Sequence, residues 1–92
     1  MGQWLRSGLR RDVCVVLYDL GEPTGQQCKA ALEDHYDERV SPGSFYGALD
    51  TLVETGHVAE RADGIHDRYE LTEAGERALL AHHEWACERL DL

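Results

Sequence analysis

Ninety-two residues, 42% of them hydrophobic, suffice for one modest core and leave no room for a second domain. Eighteen acids against nine bases give a net charge of −9, which by itself argues against a nucleic-acid partner, since phosphate neutralisation supplies much of such binding. No apolar run approaches the roughly 18 residues that a membrane span needs, and Arg6, Arg10, Arg11 and Asp12 interrupt any signal-peptide core, so the expected location is cytoplasmic, with no membrane partner.

Leu9, Val13, Val16, Leu17 and Leu20 recur at helical spacing and predict a first helix over residues 4 to 20, ended by Gly21-Glu22-Pro23. Thr24 followed by Gln27 is a capping box for a second helix running to about Tyr36, with Cys28, Ala31, Leu32, His35 and Tyr36 on one side. Ser41-Pro42 is the clearest boundary in the chain. Serine is a preferred N-cap, and proline fits the first helical position, where its missing N–H would be unpaired anyway. The third helix is expected from Pro42 to about Thr55, with Phe45, Ala48, Leu49, Leu52 and Val53 buried and Gly56 closing it. Two short strands follow, about 57–61 and 66–71, with Asp63-Gly64 as the turn signal between them. Tyr69 and Leu71 alternate with Arg68 and Glu70, the pattern of a half-buried strand. Thr72 caps a last helix over 73–90, whose apolar stripe is Ala74, Ala78, Leu79, Ala81, Trp85, Ala86 and Leu90.

The predicted fold is therefore mainly α with a small β-hairpin wing, in the order helix, helix, helix, strand, strand, helix. Two consecutive helices with a short connection and then a hairpin describe a winged helix-turn-helix. The whole chain, 1–92, is read as one such domain, with 1–8 an N-terminal arm or helix extension and 73–92 a dimerisation helix. Three short helices cannot cover the whole stripe of the last one, and Trp4 and Leu5 are surplus to a three-helix core. The expected homodimer interface is Trp4, Leu5, Leu9, Leu79, His83, Trp85, Ala86 and Leu90. The other reading folds the last helix back onto its own core.

The third helix would offer its N-terminal end to the major groove of double-stranded DNA. Gly43, Ser44 and Gly47 allow close backbone approach, and the helix N-terminus at Ser41 attracts phosphate. Ser44 and Thr51 could hydrogen-bond bases and Tyr46 a phosphate, unless Tyr46 is partly buried beside the second helix. Asp50 cannot meet phosphate favourably; it could accept from a cytosine amino group or simply be solvated. Arg61, His66 and Arg68 are the wing's minor-groove or phosphate candidates, their alternative being cross-strand pairing to Glu60 or Glu70.

Ser41-Pro42-Gly43-Ser44-Phe45-Tyr46-Gly47-Ala48-Leu49-Asp50-Thr51-Leu52 with Glu54-Thr55-Gly56 resembles the SPGTLYPAL..L...G signature of PadR-like transcriptional regulators. Arg68-Tyr69-Glu70-Leu71-Thr72-Glu73-Ala74-Gly75 is similar to their wing strand and the start of their final helix. The resemblance covers about residues 9 to 90 and implies a homodimeric repressor, dimerised through the final and N-terminal helices, with the wing in the adjacent minor groove. Gly47 stands where the family usually has proline, and Asp50 and Thr51 stand where it often has basic residues.

Other features set limits. Eight of the nine bases are Arg and only Lys29 is Lys. Few lysines with a large acidic excess suggest a halophilic, archaeal or otherwise salt-adapted cytoplasm, where molar salt screens charge to roughly 3 Å; an arginine-favouring genome is the plainer explanation. Bound cations at the DNA interface are an associated expectation. Cys14, Cys28 and Cys87 have no CxxC spacing and read first as small buried hydrophobes, second as a thiol sensor. His83 and Cys87 share a helix face at i, i+4, but two ligands are too few without a partner chain, so neither a metal nor another cofactor is expected. No catalytic motif is present, and an enzyme is not expected. The rival to a DNA-binding repressor is a winged-helix protein–protein interaction module, motivated by the charge and by the lack of Arg or Lys on the outer face of the third helix.

Overall fold

In a computed structural model, which describes residues 8–91, the chain forms four helices and one hairpin: α1 Gly8–Leu20, α2 Gly25–Tyr36, α3 Pro42–Glu54, β1 Val58–Asp63, β2 His66–Leu71 and α4 Glu73–Leu90. The order matches the winged-helix expectation. Trp4, Leu5, Arg6 and the helix expected over residues 4 to 7 lie outside the described residues.

The starts of α2, α3 and α4 use the chemistry their sequence promised. Thr24 Oγ1 accepts from Gln27 N at 3.2 Å while Gln27 Oε1 accepts from Thr24 N at 2.9 Å, so two otherwise unpaired donors are satisfied reciprocally. Ser41 Oγ accepts from Ser44 N at 3.1 Å, with Pro42 opening α3. Thr72 Oγ1 accepts from Gly75 N at 3.1 Å. Between α2 and α3 the chain turns through Asp37, which takes a left-handed φ of 55°. Glu33 then staples the turn: its Oε2 accepts from Val40 N at 2.9 Å and from Lys29 Nζ at 3.0 Å. The Val40 N–H, and then the ammonium, hold the Glu33 carboxyl below its ordinary range.

The core draws on every element. Val13, Cys14 and Leu17 of α1 meet Cys28 and Leu32 of α2, Phe45, Leu49 and Leu52 of α3, Val58 and Tyr69 of the hairpin, and Leu79 of α4. Periodicity placed Leu20 and His35 inward, but both are exposed. Leu20 is the last residue of α1, beyond the layer that α2 and α3 cover, and Cys14 occupies the inner face instead. Desolvation pushes the Cys14 and Cys28 thiols up to about 12, so both behave as the small hydrophobes expected of them. Tyr36 reaches across from α2 and donates to Asp12 Oδ2 at 2.5 Å.

The hairpin is longer than expected. Val58 pairs with Leu71 and Asp63 with His66, so β1 runs through Asp63 and the two-residue turn is Gly64-Ile65. Gly64 has φ +68° at the first central position, where a II′-type turn demands glycine. A second support holds the sheet against the helices: Tyr69 N donates to Pro23 O at 3.0 Å, which lays β2 along the α1–α2 connection.

A tight backbone approach joins α3, the wing and α4. His57 N donates to Leu52 O at 2.9 Å, and Thr72 N donates to His57 O at 3.0 Å. Thr72 Oγ1 also donates to Gly56 O at 2.7 Å. Gly75 sits against this knot so closely that an added Cβ would lie 2.0 Å from the His57 carbonyl oxygen. That contact is with backbone and cannot be relieved by a side-chain turn. Gly75→Ala is therefore expected to destabilise the fold by about 1–3 kcal/mol, the scale of overpacking, even though alanine is the better helix former. Denaturant unfolding checks this, and a variant as stable as the parent would contradict the geometry.

Candidate nucleic-acid interface

The N-terminal half of α3 presents a bare outer face. Ser41, Pro42, Gly43, Ser44 and Gly47 are all exposed. A Cβ at Gly43 or Gly47 would meet nothing within 4 Å, so neither glycine is there to fit a neighbour in this chain. Ser41 Oγ is committed as acceptor to the cap, and Ser44 projects into solvent. Thr51 is half-buried, and its hydroxyl donates back to Gly47 O at 2.9 Å, leaving its oxygen lone pairs to accept. Asp50 is exposed.

Tyr46 combines the two roles the sequence left open. It stands edge-on to Phe45, with ring centroids 4.9 Å apart, and lies over the first turn of α2. A Cβ on Gly25 would come within 3.0 Å of its hydroxyl, so Gly25 makes the space that Tyr46 fills. Tyr46 is nevertheless 36% exposed, with its rim at the surface.

The wing arginines join the same neighbourhood from the other side. Thr24, next to Gly25, bridges to Arg68 in β2. Arg68 Nη1 donates to Glu22 O at 2.8 Å and Arg68 Nε donates to Asp63 Oδ2 at 2.6 Å. Arg61 Nη2 is ion-paired to Glu22. Tyr46, Arg61 and Arg68 are thus gathered around the α1–α2 connection, although they come from a helix and two strands. His66 is exposed at the tip of the hairpin, paired across from Asp63.

The expected alternative partners of the arginines need correction. Glu60 accepts from the Tyr69 hydroxyl at 3.2 Å, and the arginines are held by Glu22 and Asp63. Strand register explains this: Arg61 and Arg68 are each other's cross-strand partners, so each turns aside to an acid. Glu22 was not identified from the sequence, because it lies 39 positions from Arg61 and only the folded sheet brings them together. Asp63 was legible only as a turn residue.

The residues expected at a dimer interface divide. Leu79 is 7% exposed and belongs to the chain's own core, and Leu9 packs partly against that core. Ala86 is half-buried, while His83, Trp85 and Leu90 are exposed. Trp85 lies 5.8 Å from the His82 ring on one side and 5.4 Å from the Arg89 guanidinium on the other. Leu80 and Leu90 stand on the opposite flank of α4, 45% and 66% exposed. Among the described residues, no group of three or more His, Cys, Asp or Glu side chains is placed to hold a metal, and no helix is long and apolar enough to cross a membrane.

Comparison with known proteins gives this surface a context. The sequence profile of the Transcriptional regulator PadR-like family matches residues 14–81. No curated protein sequence matches significantly. Among solved structures, H. salinarum RosR superposes with a TM-score of 0.84 at 30% identity, covering 90% of this chain and 76% of that one. Bacillus subtilis PadR in complex with operator DNA gives a TM-score of 0.70 at 21% identity over 87% of this chain and 47% of that one. F93 from STIV, a winged-helix DNA-binding protein, gives 0.76 at 20% identity over 84% and 85%.

The wing clamp sets a pH response. Arg68 holds the Asp63 carboxyl below its ordinary range, through the hydrogen bond first and charge second. A carboxyl whose pKa is lower in the folded chain stabilises it above the unfolded value of 3.8 and loses that effect as pH falls through the folded value. Hairpin amides near Asp63 and Arg68 should therefore lose hydrogen-exchange protection on acidification in step with the Asp63 carboxyl resonance. An Asp63 that titrates at or above 3.8 would refute the clamp.

Proposed function

Because the chain belongs to the Transcriptional regulator PadR-like family, we propose that it is a sequence-specific DNA-binding repressor that acts as a homodimer and blocks a promoter by occupying it. The family is one of transcriptional regulators, so the chain is not an enzyme. The observation that carries the DNA reading is the outer face of α3, where two glycines with open space above them flank Ser44 beside a capped helix N-terminus. Such a helix admits a phosphate backbone or a groove wall closer than any side-chain-bearing helix could. Ser44 and Thr51 would meet base edges, and Tyr46, Ser41, His66 and the two wing arginines would meet the phosphates or the minor groove.

The dimer is supported by the apolar groups that α4 leaves uncovered, Leu80, Trp85 and Leu90. Two copies related by a twofold axis would place their α3 helices on half-sites about one helical turn apart. With Arg61 and Arg68 engaged by acids, the electrostatic contribution to binding rests on release of those arginines and on cations held at the acidic surface. A salt-adapted cytoplasm fits the charge of −9 and the single lysine.

The same ion pairs favour a second reading, a winged-helix module that binds another protein. Fluorescence anisotropy against DNA from upstream of the chain's own gene, and against random DNA, from low to molar KCl, separates the two. The repressor reading expects tighter binding to the upstream DNA in at least part of the series. Equal binding at every salt would reject it for that site and favour the protein-binding module.

A sharper outcome follows from the glycines. Gly43→Ala and Gly47→Ala should each raise thermal stability, by up to about 1 kcal/mol, because helical glycine is costly and nothing crowds the new methyl. Each should weaken operator binding by roughly tenfold, the scale of one lost contact. Stability and affinity moving in the same direction would overturn the assignment of this face.

A further inference from the structure

The exposed flank of α4 carries a pattern that says more than the dimer reading asks of it. Leu80, His83, Cys87 and Leu90 are spaced three, four and three residues apart, the a/d seam of a two-stranded helix pair. Leu80 and Leu90 are 45% and 66% exposed, His83 is exposed and Cys87 half-buried, so most of the seam stands open to solvent among the described residues. The four positions are also palindromic about residue 85. If α4 lies antiparallel on α4 of a second copy with the twofold axis at that point, Leu80 of each copy faces Leu90 of the other, and His83 of each faces Cys87 of the other. The seam is its own complement in that one register.

Its centre is built of metal-binding groups. Cys87 Sγ lies 3.5 Å from His83 Nε2 within one chain. A tetrahedral zinc ion with a Zn–S bond of about 2.3 Å and a Zn–N bond of about 2.0–2.1 Å holds its sulfur and nitrogen about 3.5 Å apart. The pair is thus already at the spacing of one edge of such a site. It cannot close a tetrahedron alone, and the antiparallel register supplies the other edge.

We propose that two α4 helices pair antiparallel and that their two His83–Cys87 pairs together bind one zinc-class divalent ion in a Cys2His2 site shared between the copies. This rests on the homodimer reading above and adds a ligand to it. Each thiol gives up its proton to become a ligand, so two protons leave for each ion bound, and the dication with two thiolates is neutral. A neutral centre flanked by leucine layers carries no net charge into the interface. Cys14 and Cys28 do not compete, because both are buried in the core with raised thiol pKa values. The donor set selects zinc, cobalt(II) or a similar borderline ion over magnesium or calcium, which take oxygen ligands.

Cobalt(II) titration of the reduced, chelator-treated full chain tests this, with sedimentation run on the same samples. The expected result is saturation at one ion per two chains, with the thiolate charge-transfer absorption and intense visible bands of tetrahedral cobalt, both removed by zinc. Cys87→Ala should abolish the charge-transfer band. Both Cys87→Ala and His83→Ala should weaken binding by more than the roughly 10–100-fold that losing an outer-shell partner costs, while far-ultraviolet dichroism stays unchanged because both side chains lie outside the core. His82→Ala, on another flank of the helix, should leave the bands in place. A dimer without tetrahedral bands would overturn the metal site and leave the dimer standing. A monomer at every metal concentration would overturn both. Tetrahedral bands that saturate at one ion per chain, or that survive Cys87→Ala, would overturn the shared site.

Discussion

The backbone contact between Gly75 and His57 governs the rest of the molecule. Four segments converge there: the end of α3, the start of β1, the end of β2 and the first turn of α4. Their backbone groups bond one another directly, and Thr72 serves as cap for α4 and as donor to Gly56. Hydrogen bonds among main-chain atoms, closed over by a residue without a side chain, leave little angular freedom. The direction in which α3 faces and the direction in which α4 leaves the core are therefore fixed relative to each other. In a dimer built on α4, that single angle would set how far apart two recognition helices stand.

The electrostatics are organised locally, against the grain of the overall charge. The chain carries twice as many acids as bases, yet its two wing arginines are spent on neighbouring acids around the α1–α2 connection. Tyr46 approaches the same connection through the notch at Gly25. One short segment, Glu22 to Gly25, thus contacts α3 and both wing strands. It caps α2, pairs with β2 through Tyr69 and holds the arginines. Affinity for a polyanion would depend on how readily that segment releases what it holds.

Much of the fold was legible because its signals are local. Thr24-Gln27, Ser41-Pro42, Thr72 and Gly56 act within three or four residues of where they stand, and each element boundary they predict falls within a residue or two of the observed one. Periodicity failed at Leu20 and His35, where the helix carries the right phase past the edge of what covers it. The hairpin turn was displaced because Asp63-Gly64 reads as a turn pair, while the strand register makes Gly64 its first central residue. For the candidate interface, sequence pattern nominates residues but does not reach their electrostatics. Ser44, Tyr46 and the wing arginines follow from pattern, whereas the Glu22–Arg61 pair joins residues 39 apart and leaves no mark on either neighbourhood. The stripe of α4 is uniform in sequence and points Leu79 to a dimer surface; the core takes Leu79 and leaves its neighbour Leu80 outside.

The bare outer face of α3 also bears on how a partner sequence would be distinguished. Two of its positions have no side chain, Ser44 has a short one, and the Thr51 hydroxyl has already donated its proton within the helix. Few atoms remain that could tell one base edge from another. If α3 and the wing dock as proposed, such a regulator would depend more on the mechanical properties of the duplex: the width of its minor groove under the wing, and the ease with which particular steps bend so that the major groove can close on a thin helix. Its preferred sites would then share a shape more consistently than a string of bases.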